Sequence, residues 1–412
     1  MSPYRVLINC LTGVAIVGLF LTGCGPAPTP EEVVVATTVV ETVVVPPTPE
    51  PEKSEIRIGI PNPFSGSTAL SGEAAMRGVT MALEEMGWQV AGHPIKLFPA
   101  DNACNPEMGV TAFRKLVDVD KVDLILGSGC SGTDLSTMPL LAEVGVAQLS
   151  STSTNAKIPA QSGPGRNEWE FHLNAVDVML GDAFAPYIAA QVKSIAILAF
   201  SDDFGKGVVA AYESRFPAAG VEVKLIDYYE RGASDYRPLL LKVKESGAEA
   251  ILITTTEQEA ITFLRQVKEM GLDVKVFSQG VALSRLFYEL TKKEPGLGEG
   301  ITEASWWGVG YDPDLDNRYQ ERWGTPLTAN GAFPYYSMYV AKAAIEIADA
   351  TGTVNRQTIR DGLAQVSIDL PIGHIEFNDY HQAEPNMSLV TIKDGKLVQV
   401  AVLPTKYTPP SE

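Results

Sequence analysis

The sequence predicts an α/β protein made of two similar, doubly wound parallel-sheet lobes joined by a hinge. Three observations predict it. From residue 56 onward, short apolar runs of strand length alternate with stretches of helical period. The same alternation restarts after about residue 177 in a second unit of similar size and order. The chain has 412 residues, 45% of them hydrophobic and 20% charged, which is ordinary soluble composition and too much chain for one core.

In the first unit, residues 56–60, 95–98, 122–126 and 146–149 read as strands, and 74–86, 106–117 and 133–143 as helices. In the second of these helices Val110, Phe113, Leu116 and Val117 line one face. Asn105 stands where a cap belongs, and Pro106 takes the first helical position, which needs no N–H. The second unit places strands at 195–199, 221–226, 250–254 and 274–277, with helices at 206–218, 236–246 and 259–270 between them. After Gly300 come aromatic residues, then helices near 335–350 and 356–364. Strands 390–393 and 397–403 flank Asp394-Gly395, a strong hairpin signal. The expected lobes are residues 54–176 with about 302–351, and 177–301 with about 352–408. Strand-helix-strand order makes the sheets parallel, and ligands bind beyond the carboxyl ends of such strands. Two facing units leave a crevice there, with hinge closure as its expected motion.

The N-terminus reads as an address. Residues 1–23 have one charge, Arg5, and an apolar stretch over about 11–20, as in a signal peptide. Leu21-Thr22-Gly23-Cys24 resembles a bacterial lipobox, which implies cleavage before Cys24 and lipidation of its sulfur; an ordinary secretory signal with an incidental cysteine is the alternative. Residues 24–53 read as a tether, because Pro26, Pro28, Pro30, Pro46, Pro47, Pro49 and Pro51 block regular structure. No later apolar run is long enough to span a membrane. The expected location is therefore the cell envelope outside the cytoplasmic membrane, with the lipid as the only membrane contact. A net charge of −18 argues against nucleic acid as a partner.

With Cys10 in the leader and Cys24 at the anchor, Cys104 and Cys130 remain. An even pair in an oxidising compartment is predicted to be bridged, with two buried free thiols as the alternative. No Cys/His spacing suggests a metal, since His93, His172, His374 and His381 are scattered, and no cofactor is expected.

Gly127-Ser128-Gly129-Cys130-Ser131-Gly132 matches G-x-G-x-x-G between a strand and a helix. A dinucleotide site fails on context: the next strand ends in Ser150-Ser151-Thr152-Ser153-Thr154, with no acid to hold a ribose. The loop suits a smaller anion. N–H groups at a helix start carry partial positive charge, and the hydroxyls of Ser131, Thr152 and Thr154 would add donors. The plainer reading is that these residues cap helices and fill turns. There is no G-x-S-x-G elbow and no histidine near Ser131, so a hydrolase using Ser131 or an aspartate has weak support and no catalytic activity is expected.

Taken together, Asp101–Pro106 with its cysteine, residues 122–131, and Leu149–Thr154 resemble the leucine/isoleucine/valine-binding protein family, the type I periplasmic binding proteins. Pro63-Phe64-Ser65-Gly66, Ser201-Asp202-Asp203-Phe204-Gly205 and Gln279-Gly280-Val281 match further, so the resemblance spans nearly the whole folded chain. It implies a Cys104–Cys130 bridge, a ligand carboxylate on Ser131, and contacts at Thr152 and Thr154. Three positions depart from the family's pattern. Gln279 stands where branched-chain amino-acid binders commonly place a glutamate for the ammonium, and Thr256 stands near an expected tyrosine. Ser71 replaces an aromatic of the first loop. Asp177, Asp202 and Asp203 are the candidate replacement acids, and Phe64, Phe204, Trp306, Trp307 and Phe333 the candidate pocket walls; packing between lobes is the alternative for these. The resemblance implies a monomeric solute-binding lipoprotein of an ABC importer, holding an amino acid or related small carboxylate and presenting it to permease subunits. A ligand-sensing subunit of an envelope signalling system is the alternative.

Overall fold

The computed structural model describes residues 53–280, 283–308 and 310–409. The expected signal peptide, Cys24 and the tether up to residue 52 lie outside the described residues, as does Val281.

The first lobe is built from β1 (Ile56–Asn62), α1 (Ala69–Glu85), β2 (Gln89–Val90), β3 (His93–Asp101), α2 (Pro106–Arg114), β4 (Leu124–Leu126), α3 (Ser131–Val144), β5 (Ala147–Ser150), α4 (Lys157–Ala160) and β6 (Glu170–His172). Its sheet runs β2-β3-β1-β4-β5-β6, parallel except for the short β2. The chain moves from β1 to β3 on one side and then returns to β4 on the other, so the loops after β1 and β4 diverge and leave an opening at their carboxyl ends.

The second lobe repeats the plan with α5 (Asp177–Ala189), β7 (Ser194–Phe200), α6 (Asp203–Ala218), β8 (Glu222–Tyr229), α7 (Arg237–Ser246), β9 (Ala250–Thr255), α8 (Glu257–Glu269), β10 (Lys275–Gly280), α9 (Arg285–Thr291) and β11 (Thr302–Ser305). Here β8 lies to one side of β7 and β9 to the other, which makes a second switch point. Every residue of β7 and β9 is buried, as strands covered by helices on both faces must be.

The chain then returns through α10 (Pro313–Trp323), α11 (Ala329–Ala350), α12 (Arg356–Leu363) and the two-stranded β12 (Ser367–Leu370) and β13 (Gly373–Glu376). It ends in the hairpin β14 (Met387–Lys393) and β15 (Lys396–Leu403), antiparallel on the edge of the second sheet beyond β11. The turn residues Asp394 and Gly395 have φ of 51° and 66°, the left-handed pair a two-residue hairpin requires.

Both expected boundaries of the returning segment shift. β11 pairs with β10 in the second sheet, so the crossing falls after Ser305 rather than at about 302. α11 packs on α1, where Gly78 meets the backbone of Gly331. α12 stays with the first lobe instead of opening the second: the Arg356 guanidinium donates to the carbonyls of Val122 and Val144. The stretch after β13 also joins β6, with His172 N–H donating to His381 O and Ala383 N–H to His172 O, each at 2.8 Å. Helical period announces a buried face but not which lobe buries it.

Local signals act as their chemistry requires. The Asn105 side chain accepts from the N–H groups of Glu107 and Met108 and starts α2. Cys104 and Cys130 are bonded, with Cα atoms 5.5 Å apart, which ties the loop after β3 to the loop after β4.

Candidate functional site

Loops from both switch points converge on a cavity of ≈ 60 Å³ between the lobes. The first lobe contributes Thr68 and Ser71 after β1, Gly129, Cys130 and Ser131 at the start of α3, Thr152 and Ser153 after β5, and Asn330 from α11. The second contributes Phe200 and Phe204 around the start of α6, Arg231 after β8, Thr255 and Thr256 after β9, and Gly280 at the end of β10, while Trp306 comes from the crossing strand. At roughly 10–15 Å³ of such space per water, the cavity has room for about four to six waters, the scale of a small organic acid. The lobes touch over it: Asn155 Nδ2 donates to Asp203 O at 2.6 Å. A Cβ on Gly132 would lie 2.9 Å from Asp203 Oδ2, so any larger residue there would displace the Asp203 side chain.

The walls are rich in hydrogen-bond donors. Ser131 Oγ accepts from the N–H groups of Thr154 and Asn155, both at 3.3 Å, which leaves its own proton to donate. Ser131 is also the first residue of α3, so the positive end of that helix faces the cavity. Ser153 Oγ and Trp306 Nε1 are buried and have no hydrogen-bond partner among the described residues. A buried donor without a partner is costly, and a ligand oxygen would satisfy it. Among the described residues lining the cavity there is no aspartate or glutamate.

The loop that precedes Ser131 is held from behind by Asp134. Wholly buried, it accepts from Ser128 N at 3.0 Å, Gln148 Nε2 at 2.7 Å and Ser150 Oγ at 2.7 Å, and so fastens the turn before Ser131 to β5. Burial, reinforced by the charge of Asp134, pushes the Glu170 carboxyl far above its usual range. Burial lowers the His172 imidazole to about 4, so it is neutral at pH 7.

The candidate replacement acids are all engaged elsewhere. Asp177, fully buried at the start of α5, accepts from Gln279 Nε2 at 2.8 Å, and neither residue lines the cavity. Asp202 caps α6 through Gly205 N–H and pairs with Arg231 Nε at 2.6 Å. Asp203 lies against Gly132 outside the cavity. Burial drives the Asp177 carboxyl well above the carboxylate range, opposed in part by the Thr154 hydroxyl and the Gln279 amide. Below the ordinary carboxylate range, folded and unfolded chains both carry this proton. As pH rises through that range the unfolded chain ionises first, so this group makes folding less favourable toward neutral pH. Asp177→Asn, which keeps an acceptor for Gln279, is expected to unfold at higher urea than the parent at pH 8, with the difference shrinking toward pH 4.

Other expected positions are redistributed. Ser131, Thr152, Phe204, Thr256 and Trp306 lie on the cavity wall. Thr154 does not: it stands one step behind, its hydroxyl beside Asp177, and Ser153 takes the wall position. Phe64 turns outward to a surface hollow with Leu70, Met76 and Trp323. Phe333 is fully buried in the core of α11, and Trp307 lines a separate, larger cavity of ≈ 320 Å³ beside α9, β11 and β15. Arg231 was not foreseen. No motif surrounds it, and only the topology of β8 brings it opposite Ser131.

A family model described as periplasmic binding protein matches residues 55–396. The chain belongs to the periplasmic binding protein family. Within it, the chain is a type I periplasmic binding protein of the leucine/isoleucine/valine-binding group, a non-enzymatic solute-binding protein. An amino acid binding protein from Pseudomonas aeruginosa is 29% identical over 57% of this chain and 63% of its own length, so the alignment spans less than two thirds of that relative. The leucine-, isoleucine-, valine-, threonine- and alanine-binding protein of the same organism is 24% identical over 79% of this chain and 86% of its own. Among solved structures, a leucine binding protein from Thermotoga maritima superposes with a TM-score of 0.74 at 22% identity, over 84% of this chain and 98% of that one. A solute binding protein from R. palustris in complex with benzoate superposes with a TM-score of 0.77 at 17% identity, over 86% of this chain and 98% of that one.

Proposed function

We propose that this solute-binding protein captures a small organic acid that has a carboxylate but no free ammonium, and delivers it to an ABC permease. The observation that carries this reading is the composition of the cavity wall: Ser131, Ser153, Trp306 and Arg231 offer donors, and no acidic side chain lines it among the described residues. A buried ammonium needs a carboxylate or several oriented oxygens, and here it would meet a guanidinium instead. The same fold holding benzoate in the R. palustris protein supports an acid of this kind. The names of the Pseudomonas relatives favour a second reading, a zwitterionic amino acid. A thermal-shift screen of aliphatic, aromatic and hydroxy acids tests the site: an acid at one hundred times its Kd adds about 2.7 kcal/mol of stability, and Ser131→Ala should remove that shift. Shifts from amino acids alone would favour the second reading.

We further propose that residues 1–23 are cleaved, that Cys24 carries lipid, and that residues 24–53 hold a monomeric binding domain clear of the membrane surface, outside the cytoplasm. Cys24→Ser should move the protein from the membrane fraction to the soluble fraction on cell fractionation; retention in the membrane would count against the anchor.

A further inference from the structure

Opposite Ser131, across the cavity, stands a second donor. Arg231 sits in the loop after β8 and lines the cavity from the second lobe. Its Nε donates to Asp202 Oδ2 at 2.6 Å. Its guanidinium carbon lies 4.0 Å from the ring centre of Phe200 and 5.7 Å from that of Phe204. Asp202 is itself fixed, because its other oxygen caps α6 through Gly205 N–H at 3.0 Å. A guanidinium stacked and paired in this way has lost its rotamer freedom before any ligand arrives, so little further ordering is needed to use it. The ion pair employs Nε, and the Nη groups remain for another acceptor.

Charge narrows what that acceptor is. With no acid on the wall, a distal ammonium has no carboxylate to pair with there. Asp202 already balances Arg231, so a second full carboxylate would enter a closed site without a counter-ion. An uncharged oxygen suffers neither penalty. We propose that Arg231 reads an uncharged oxygen at the far end of the ligand, so that the preferred ligand is an oxo- or hydroxy-substituted carboxylate rather than a plain or dibasic acid. The inference rests on the carboxylate reading above and adds a specificity that the reading does not require.

The test is calorimetric titration of the full mature chain with two matched series. One is pentanoate, 4-oxopentanoate and pentanedioate; the other is benzoate, 4-hydroxybenzoate and benzene-1,4-dicarboxylate. The parent protein should bind the oxo or hydroxy acid at least about tenfold more tightly than the other two members of at least one series, the effect of one charge-assisted hydrogen bond. Arg231→Met should erase that preference, so that within the variant the oxo or hydroxy acid binds no more tightly than the plain acid of its series. Asp202→Asn keeps the helix cap, since asparagine caps as well as aspartate, but removes the counter-charge. It should shift the preference toward the dibasic acid, which a merely structural role for the pair would not do. Equal affinities within both series, a preference that survives Arg231→Met, an equal loss for all acids in that variant, or a dibasic acid binding best to the parent would each overturn the inference while leaving the carboxylate reading standing. If no acid of either series binds, the carboxylate reading fails and the inference falls with it.

Discussion

Replacing Ser131 and Ser153 together by alanine is expected to weaken binding of the captured acid about a hundredfold or more while leaving the fold in place. Both hydroxyls stand on the cavity wall, and that of Ser153 is buried with no partner among the described residues. Hydrogen bonds to a charged group contribute about 1.5–3 kcal/mol each, so the pair carries about 3–6 kcal/mol, and tenfold in affinity is about 1.4 kcal/mol. Neighbouring donors on one carboxylate are not independent, which places the expectation at the lower end of that range. Thr154→Val is the control. Its hydroxyl lies beside Asp177 and off the wall, so affinity should stay within about threefold of the parent. The readout is calorimetric Kd for the acid that gives the largest thermal shift, with circular dichroism as the check on folding. Unchanged affinity in the double variant would put the ligand elsewhere, first of all in the ≈ 320 Å³ cavity beside α9 and β11.

Removing the disulfide should have the largest effect on stability. Cys104 and Cys130 are 26 residues apart, and closing a loop of that length restricts the unfolded chain by about 3.5 kcal/mol in the chain-entropy account. The bond also joins two loops at one switch point, Cys130 being the residue before Ser131 on the cavity wall. A Cys104→Ala, Cys130→Ala variant is therefore expected to lose about 3.5 kcal/mol in urea unfolding. It should also bind its acid more weakly, because the start of α3 is less firmly held. Full stability in the variant would mean that the packing of α2 on α3 alone fixes this corner.

Much of the architecture is legible in the residues because it rests on local chemistry. Asn105 and Pro106 mark the start of α2, Asp394-Gly395 marks the last turn, and the near-continuous apolar runs of β7 and β9 announce strands covered on both faces. The first-lobe half of the site is legible for a related reason. Ser131 and the hydroxyl run after β5 lie at adjacent strand ends, and strand order is what the alternating pattern encodes. The second-lobe half is not. Arg231 lies 100 positions from Ser131 in an unremarkable loop, and only the pairing of β8 with β7 brings it to the cavity. The choice between Ser153 and Thr154 turns on the direction of one side chain after the strand has ended, where alternation no longer guides it. Phe64 and Phe333 are aromatic residues near elements that line the cavity, but one faces an outer hollow and the other the core of α11. The lobe that holds α12 depends on the grip of Arg356 on Val122 and Val144, a tertiary contact without a local signature.

We propose that the cavity receives a carboxylate and rejects an ammonium. Gln279 and Asp177, the groups nearest in kind to an ammonium site, are bonded to each other outside the cavity, and Arg231 stands on its wall. Calorimetric titration of the parent protein with pairs that differ only in the amino group tests this most directly: leucine against 4-methylpentanoate, and alanine against propanoate. In each pair where binding is measurable, the deaminated acid is expected to bind at least tenfold more tightly, because the amino acid must bury a cation in a cavity with no carboxylate among its described lining residues. Amino acids binding more tightly than their deaminated partners would contradict the claim.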